Sequence, residues 1–316
     1  MRTSWLRASR ILLLLSAAGL PWAGAAAQSA PAERSVMVRE AYVYLNPDAG
    51  SAKVATVERG REVAITAKSH DWVQVFAMMP ERQVAGWMLD KGIVRPSDPQ
   101  GDRVIFGEAA DSEAEASRAH GRKEAAQDAM RLYYRLQEYF PNSPLAAEAF
   151  YRAADIRWQI DKADASTRGS AKAQMPGDRY PLDEEWMKGV IKKFPHTPQA
   201  DLAAYEMLDN KMCGEWLAEA KCPERESELY EKYAAEHPQS PKAAEALYNA
   251  AYRQAALIDI YRTSEQPGKI GVARTRAAAL CQRVISQFPQ SDWALRATRL
   301  NYMIQQGISV YGGGIE

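Results

Sequence analysis

The chain has 316 residues, nearly half of them apolar, with 40 basic and 40 acidic residues in formal balance. That length suits two domains, and the apolar content supplies real cores and excludes global disorder. Without a basic surplus the chain is not built as a dedicated nucleic-acid binder.

The first 27 residues have the layout of a secretory signal peptide. Arg2, Arg7 and Arg10 make a basic start, Ile11 to Leu20 a short apolar core, and Ala25-Ala26-Ala27 a small-residue cleavage signal. Gly19 and Pro21 break the apolar run, which is short for a membrane span. Cleavage after Ala27 is therefore expected, leaving 37 basic against 40 acidic residues and a net charge of −3. No cysteine near the cleavage site offers a lipid anchor, and no other stretch is long and apolar enough to span a bilayer. A periplasmic or secreted protein is expected, not an integral membrane protein.

Gln28 to Ser35 is small and polar and reads as loose. From Val36 the period is two. Val36 to Leu45 is rich in valine and tyrosine, Asn46 to Gly50 is a turn, and Lys53 to Val57 a short strand. Glu58-Arg59-Gly60 turns the chain, Val63, Ile65 and Ala67 alternate with polar residues, and His70-Asp71 turns into Trp72 to Phe76. Pro80 to Gln83 makes a hairpin loop before Ala85-Gly86-Trp87-Met88. Short strands at this spacing predict a small all-β barrel over residues 36–96.

The residues that carry this pattern also resemble a family. Tyr42 to Gly50, Val54 to Gly60 with its closing glycine, Asp71-Trp72-Val73-Gln74-Val75 and the Gly86-Trp87 pair are similar to the bacterial SH3-type domain. Asn46-Pro47-Asp48-Ala49 replaces the family's usual Arg-Ser-Gly-Pro turn. The resemblance implies docking to cell-wall peptides or glycans, or attachment to a larger envelope protein. Tyr42, Tyr44, Asn46, Trp72 and Trp87 are its candidate ligand groove. The other reading puts the aromatics inside a very small core, which a barrel of this size favours for Trp72 and Trp87.

Residues 97–118 read as an acidic linker: Pro96, Pro99 and Gly101 break structure, and over Gly101 to Ser117 Asp102, Glu108, Asp111, Glu113 and Glu115 face Arg103 alone. A flexible or partly helical joint is expected. From Ala119 the period turns helical, with Ala126, Ala129, Tyr133, Leu136 and Phe140 stepping by three and four. Phe140-Pro141-Asn142-Ser143-Pro144 ends that helix, with Ser143 as N-cap and Pro144 as first residue of the next. Ala146, Ala149, Ala153, Ile156 and Ile160 continue it.

The turn recurs at Phe194-Pro195-His196-Thr197-Pro198, His237-Pro238-Gln239-Ser240-Pro241 and Phe288-Pro289-Gln290-Ser291, each time before an alanine-rich amphipathic run. Ser240-Pro241 to Ala250-Ala251 nearly repeats Ser143-Pro144 to Ala153-Ala154. These units resemble tetratricopeptide repeats of the kind found in bacterial envelope proteins, including the repeat lipoprotein of the outer-membrane β-barrel assembly machine and periplasmic cell-division coordinators. The turn prolines lie 54, 43 and 51 residues apart, against about 34 for a plain repeat. Loops over residues 161–182 and 263–271 account for the excess. An all-α repeat solenoid is expected over residues 119–310, with residues 311–316 a flexible tail.

Cys213 and Cys222 suit a local disulfide in an oxidising compartment, with Gly214 capping the helix before them. Cys281 shares an apolar stripe with Ala277, Val284 and Phe288 and reads as a buried thiol. His70, His120, His196 and His237 are scattered, the last two in repeat turns where solvated rings are expected. The sequence contains neither a phosphate-binding glycine loop nor a nucleophile elbow. No cofactor, metal or catalytic residue is expected. The expectation is a non-enzymatic envelope adaptor, holding protein partners through the repeats, with Tyr151, Arg152, Asn249 and Tyr252 as candidate contacts. The alternative is a peptidoglycan-binding module with the repeats as spacer, or an accessory to a cell-wall enzyme.

Overall fold

A computed structural model describes residues 32–312. The predicted signal peptide and the last four residues lie outside them. An antiparallel β domain comes first and a helical region follows.

The seven strands are β1 (Glu33–Met37), β2 (Ala41–Tyr44), β3 (Lys53–Val57), β4 (Glu62–Ser69), β5 (Trp72–Met78), β6 (Gln83–Leu89) and β7 (Ile93–Val94), in the order β3-β2-β6-β5-β4-β1-β7. The sheet is curled around Met37, Val43, Val57, Val63, Val73, Val75, Val84, Met88 and Ile93. These residues sit at alternate positions, as one buried face of a sheet requires. Gly86 is needed where β6 passes under β2, since a Cβ there would lie 2.5 Å from the Tyr44 carbonyl oxygen. β1 starts at Glu33, so Glu33 to Ser35, read as loose, are already paired with β4.

The helices are α1 (Gly101–Ala116), α2 (Ala125–Tyr139), α3 (Ala146–Ser166), α4 (Glu185–Lys193), α5 (Pro198–Glu206), α6 (Lys221–Glu236), α7 (Ala243–Thr263), α8 (Pro267–Gln287) and α9 (Asp292–Gln306). Of the flexible or partly helical joint expected over residues 97–118, the helical alternative is the one seen: most of them form α1. Ile105, Ala109 and Ser112 recur at helical spacing and are buried. An acidic average composition hides that stripe. Ile105 and Ala109 share one core with Val36, Val38 and Val94 of the β domain and Ala129, Leu132, Tyr133 and Leu136 of α2. Gly60, at φ +73°, lets the β3–β4 turn abut α2, and a Cβ there would lie 2.4 Å from that of Arg131. Arg131 Nε donates to the Arg59 carbonyl at 3.0 Å across the same junction.

One helix exit is built four times, and the turn after it three times, since the second turn differs in placing His196 at φ +62°. Phe140, Phe194, His237 and Phe288 end their helices with φ between −125° and −129° and ψ between 53° and 59°. The following proline excludes the helical conformation at these residues. The Ser143, Ser240 and Ser291 N–H groups then donate to the Phe140, His237 and Phe288 carbonyls at 2.9–3.0 Å. Thr197 and Ser291 cap α5 and α9 with their hydroxyls, which accept from Ala200 and Ala294. Ser143 departs from the expected N-cap: α3 starts at Ala146, and the Ser143 hydroxyl donates to Asp102 Oδ2 at 2.6 Å while accepting from Leu145 N.

Helices pair in chain order, α2 with α3, α4 with α5, α6 with α7 and α8 with α9. The segment expected as a loop at 263–271 is short, because α8 begins at Pro267. The one at 161–182 is partly helical: α3 runs to Ser166, and single 3-10 turns follow at Gly169–Lys172 and Pro176–Asp178. Cys281 is fully buried among Ala277, Leu280 and Val284, and burial pushes its thiol up to about 12. Among the described residues no helix is long and apolar enough to cross a membrane.

Candidate partner-binding surfaces

The β domain carries an aromatic strip on its outer face. Tyr44 faces Trp87 across the β2–β6 ladder, and Trp87 faces Gln74 across β6–β5. The Tyr44 and Trp72 rings meet edge-to-face at 5.4 Å, and those of Tyr42 and Tyr44 at 6.4 Å. Lys53 Nζ sits 3.6 Å from the Tyr42 ring centroid. Leu45 and Leu89 add exposed apolar surface beside them. Trp72 and Trp87 are half-buried, which corrects the core placement favoured for them. Pleating decides it: Val73, Val75 and Ala77 on β5 and Val84 and Met88 on β6 point inward, so the residues between them point out. Asn46 is exposed in the turn after β2, where its backbone N–H donates to Ser51 Oγ.

The four candidate contacts of the helical region do not form one surface. Arg152 donates to Glu148 on its own helix, and to Glu113 and the Tyr133 hydroxyl, fastening α3 to α1 and α2. Its role is structural. Tyr151, on the neighbouring face of α3, is half-buried near Asp155 of its own helix and Glu206 of α5. Burial, reinforced by the charge of Asp155, raises the Glu206 carboxyl to about 7, and burial also raises Asp155. Asn249 donates to the Tyr205 hydroxyl at 3.2 Å. Tyr252 lies farther along α7, its ring 6.4 Å from that of Trp216, which in turn lies 5.3 Å from Tyr311.

Tyr311, expected in a flexible tail, is docked together with Val310: Asp259 Oδ2 accepts from the Val310 and Tyr311 N–H groups at 2.8 and 3.1 Å. His237 is half-buried rather than solvated, with Nδ1 2.7 Å from Asp201 Oδ1 and its ring against Tyr233. Asp201 on α5 thereby ties the second helix pair to the third.

Cys213 and Cys222 are bonded, with Cα atoms 6.0 Å apart. Gly214 does not cap a helix. Its N–H donates to the Gln174 carbonyl, and a Cβ would lie 2.5 Å from the Ala173 oxygen, so it is the point where the disulfide loop presses on the 167–184 segment. Glu226, 1% exposed, anchors the loop from inside by accepting from Cys213 N–H, Trp216 Nε1 and Arg253 Nε.

A cavity of about 400 Å³ lies between this loop, the end of α3, the 167–184 segment and α6–α7. Lys162, Arg179, Tyr230 and Arg253 reach its wall. Sequence reasoning missed it, because its walls come from four separate stretches, one of them read as a plain loop. The proline- and glycine-punctuated 167–184 insert was the only signal in the chain that pointed there. Among the described residues no three His, Cys, Asp or Glu side chains converge as a metal site.

No family model and no curated protein matches the chain. Among solved structures, one titled "DHF58 filament" aligns with 65% of this chain and 91% of its own at 16% identity and a TM-score of 0.24, a likeness too slight to bear on fold or function.

Proposed function

We propose that this chain is a non-enzymatic adaptor of the bacterial envelope, exported by a cleaved signal peptide. Its β domain is read as an SH3-type module and its helices as tetratricopeptide-like repeats. The observation that carries the reading is the fourfold helix exit with its consecutive helix pairs, each sharing core with the next. Arrays of that kind present extended surfaces to protein segments. The disulfide and the absence of a spanning helix among the described residues suit an extracytoplasmic address.

Photo-crosslinking in intact cells tests it, with a crosslinking amino acid placed at Tyr151 or at Tyr252. A discrete adduct with one or a few envelope proteins is the expected result, and a ladder without discrete products removes the reading.

The outward-facing, half-buried aromatic strip favours a second reading, in which the β domain binds peptidoglycan and the helices act as a spacer. Outward-facing aromatic rings suit sugar rings and short wall peptides. Co-sedimentation with purified wall material, lost in Trp72→Ala and Trp87→Ala, would support it. Equal sedimentation of both variants with wild type would remove the strip from the account.

A further inference from the structure

We propose that the cavity beside the disulfide loop is a carboxylate-binding site for a peptide segment, the point at which the helical region grips its partner. The inference rests on the adaptor reading and goes beyond it by naming the ligand chemistry.

Arg253 is held in advance of any ligand. Its side chain is 16% exposed, Nε donates to Glu226 at 3.1 Å, and the guanidinium lies 4.7 Å from the Tyr230 ring centroid and 5.5 Å from that of Trp216. Nη1 leans on Asn249, while Nη2 carries no hydrogen bond among the described residues. Tyr230 is 9% exposed, and its hydroxyl likewise has no partner among those residues. Opposite them, half-buried Arg179 donates only Nη1, to the Met212 carbonyl at 3.0 Å, and has no carboxylate within ion-pair distance among the described residues.

The remaining charges cancel. Lys162 pairs with Asp209 at 2.6 Å, and Arg253 with Glu226. Arg179 therefore leaves the cavity one positive charge in excess. A partly desolvated cation without a counterion is costly, and a carboxylate removes that cost while its two oxygens engage planar guanidinium forks. Pro176, Pro181, Leu182 and Met212 give the wall apolar surface, and Ser166 and Asn210 add polar groups. A volume of about 400 Å³ falls in the range of small-ligand pockets and holds a side chain or a chain end.

A peptide is favoured over a free acid by what adjoins the cavity. Tyr180, Pro181, Leu182 and Asn210 also line an open trough that continues past Asp183 and Glu184 along α3 and α4. An extended segment lies in the trough with its carboxylate in the cavity.

The test uses the oxidised chain from Gln28 onward and random octapeptides in two pools, one with free carboxyl ends and one amidated. Peptides retained on the immobilised protein are sequenced, and the best are titrated by fluorescence anisotropy. Enrichment from the free-carboxyl pool alone assigns a chain terminus, and enrichment of Asp or Glu in both pools assigns an acidic side chain. In either case, amidation or replacement by Asn or Gln should weaken binding at least tenfold. Arg179→Gln should weaken it about tenfold at an unchanged melting temperature, with partial retention in Arg179→Lys. Peptides that bind equally after losing the carboxylate overturn the site whatever the Arg179 variants do, as does failure to enrich any peptide. The adaptor reading is judged separately, by crosslinking in cells.

Discussion

α3 and α7 open on almost the same residues, both run for 21, and end in different surroundings. In α3 six residues are buried, Ala146, Ala149, Phe150, Ala153, Ala154 and Trp158, and the stripe stops there. In α7 fourteen are buried, continuing through Leu257, Ile258 and Ile260 to Tyr261. The neighbours make the difference. α7 is packed between α6, α8 and α9, whereas α3 meets α2 and the nine-residue α4 and α5. Those short helices leave the end of α3 uncovered, and there Lys162, Ala165 and Ser166 line the cavity. A repeated sequence thus sets the turn and the first helical turns, and the length of the next pair sets whether the remainder becomes core or binding surface.

The largest test of that contrast compares equivalent positions. Leu257→Ala, at a site 1% exposed, should cost about 3 kcal/mol, while Ile160→Ala, its half-buried counterpart on α3, should cost about 1 kcal/mol. Urea denaturation of the two variants measures both, and equal losses would break the comparison.

The disulfide stands only beside the α6–α7 pair. Replacing Cys213 and Cys222 by serine should cost about 2–3 kcal/mol, for a sequence separation of nine. Thermal melts with and without reductant should reproduce that loss in wild type and show none in the double variant.

The α3–α5 groove should be pH-sensitive through Glu206. Its carboxyl titrates near 7 in the fold against an ordinary 4.5, because of burial and then the nearby charges of Asp155 and Asp209. The folded chain therefore binds the proton more tightly than the unfolded one. The contribution is intact below about pH 4.5 and falls as pH rises to 7. Glu206→Gln should stabilise the protein by about 1–2 kcal/mol at pH 8, reduced from the full linkage value because water reaches the groove, and by little at pH 4. Melting curves at the two pH values check the sign.

The smallest effects belong to the turns. Ser240, 6% exposed and 2.6 Å from the Tyr233 hydroxyl, should lose about 1–2 kcal/mol on substitution by alanine. Ser143→Ala, which frees Asp102 nearer the surface, should lose about 1 kcal/mol. Chemical denaturation ranks the pair, and the reverse order would mean that the N-terminal turn is the more tightly held.

Much of the architecture was legible in the chain. Period two over Val63–Ala67 and period 3.6 over Ala126–Phe140 separated a β domain from a helical region, and four aromatic- or histidine-proline turns marked where helices stop. The spacing of Cys213 and Cys222 pointed to their bridge. α1 was hidden because its acidic surface outweighs Ile105 and Ala109 in any average over composition. The outward placement of Trp72 and Trp87 was missed because size argued for the core while strand parity argued against it.

The primary structure alone determined local things: where the backbone cannot remain helical before proline, which positions alternate, which cysteines lie close enough to close a small ring. Those depend on neighbours a few residues away. The folded chain alone decided which arginine and which tyrosine hydroxyl of the cavity wall lack a partner among the described residues, and how far α3 is covered. Each of these is a balance among groups such as Arg179, Glu226 and Arg253, which are far apart in the chain and meet only when helix lengths and crossings bring them together.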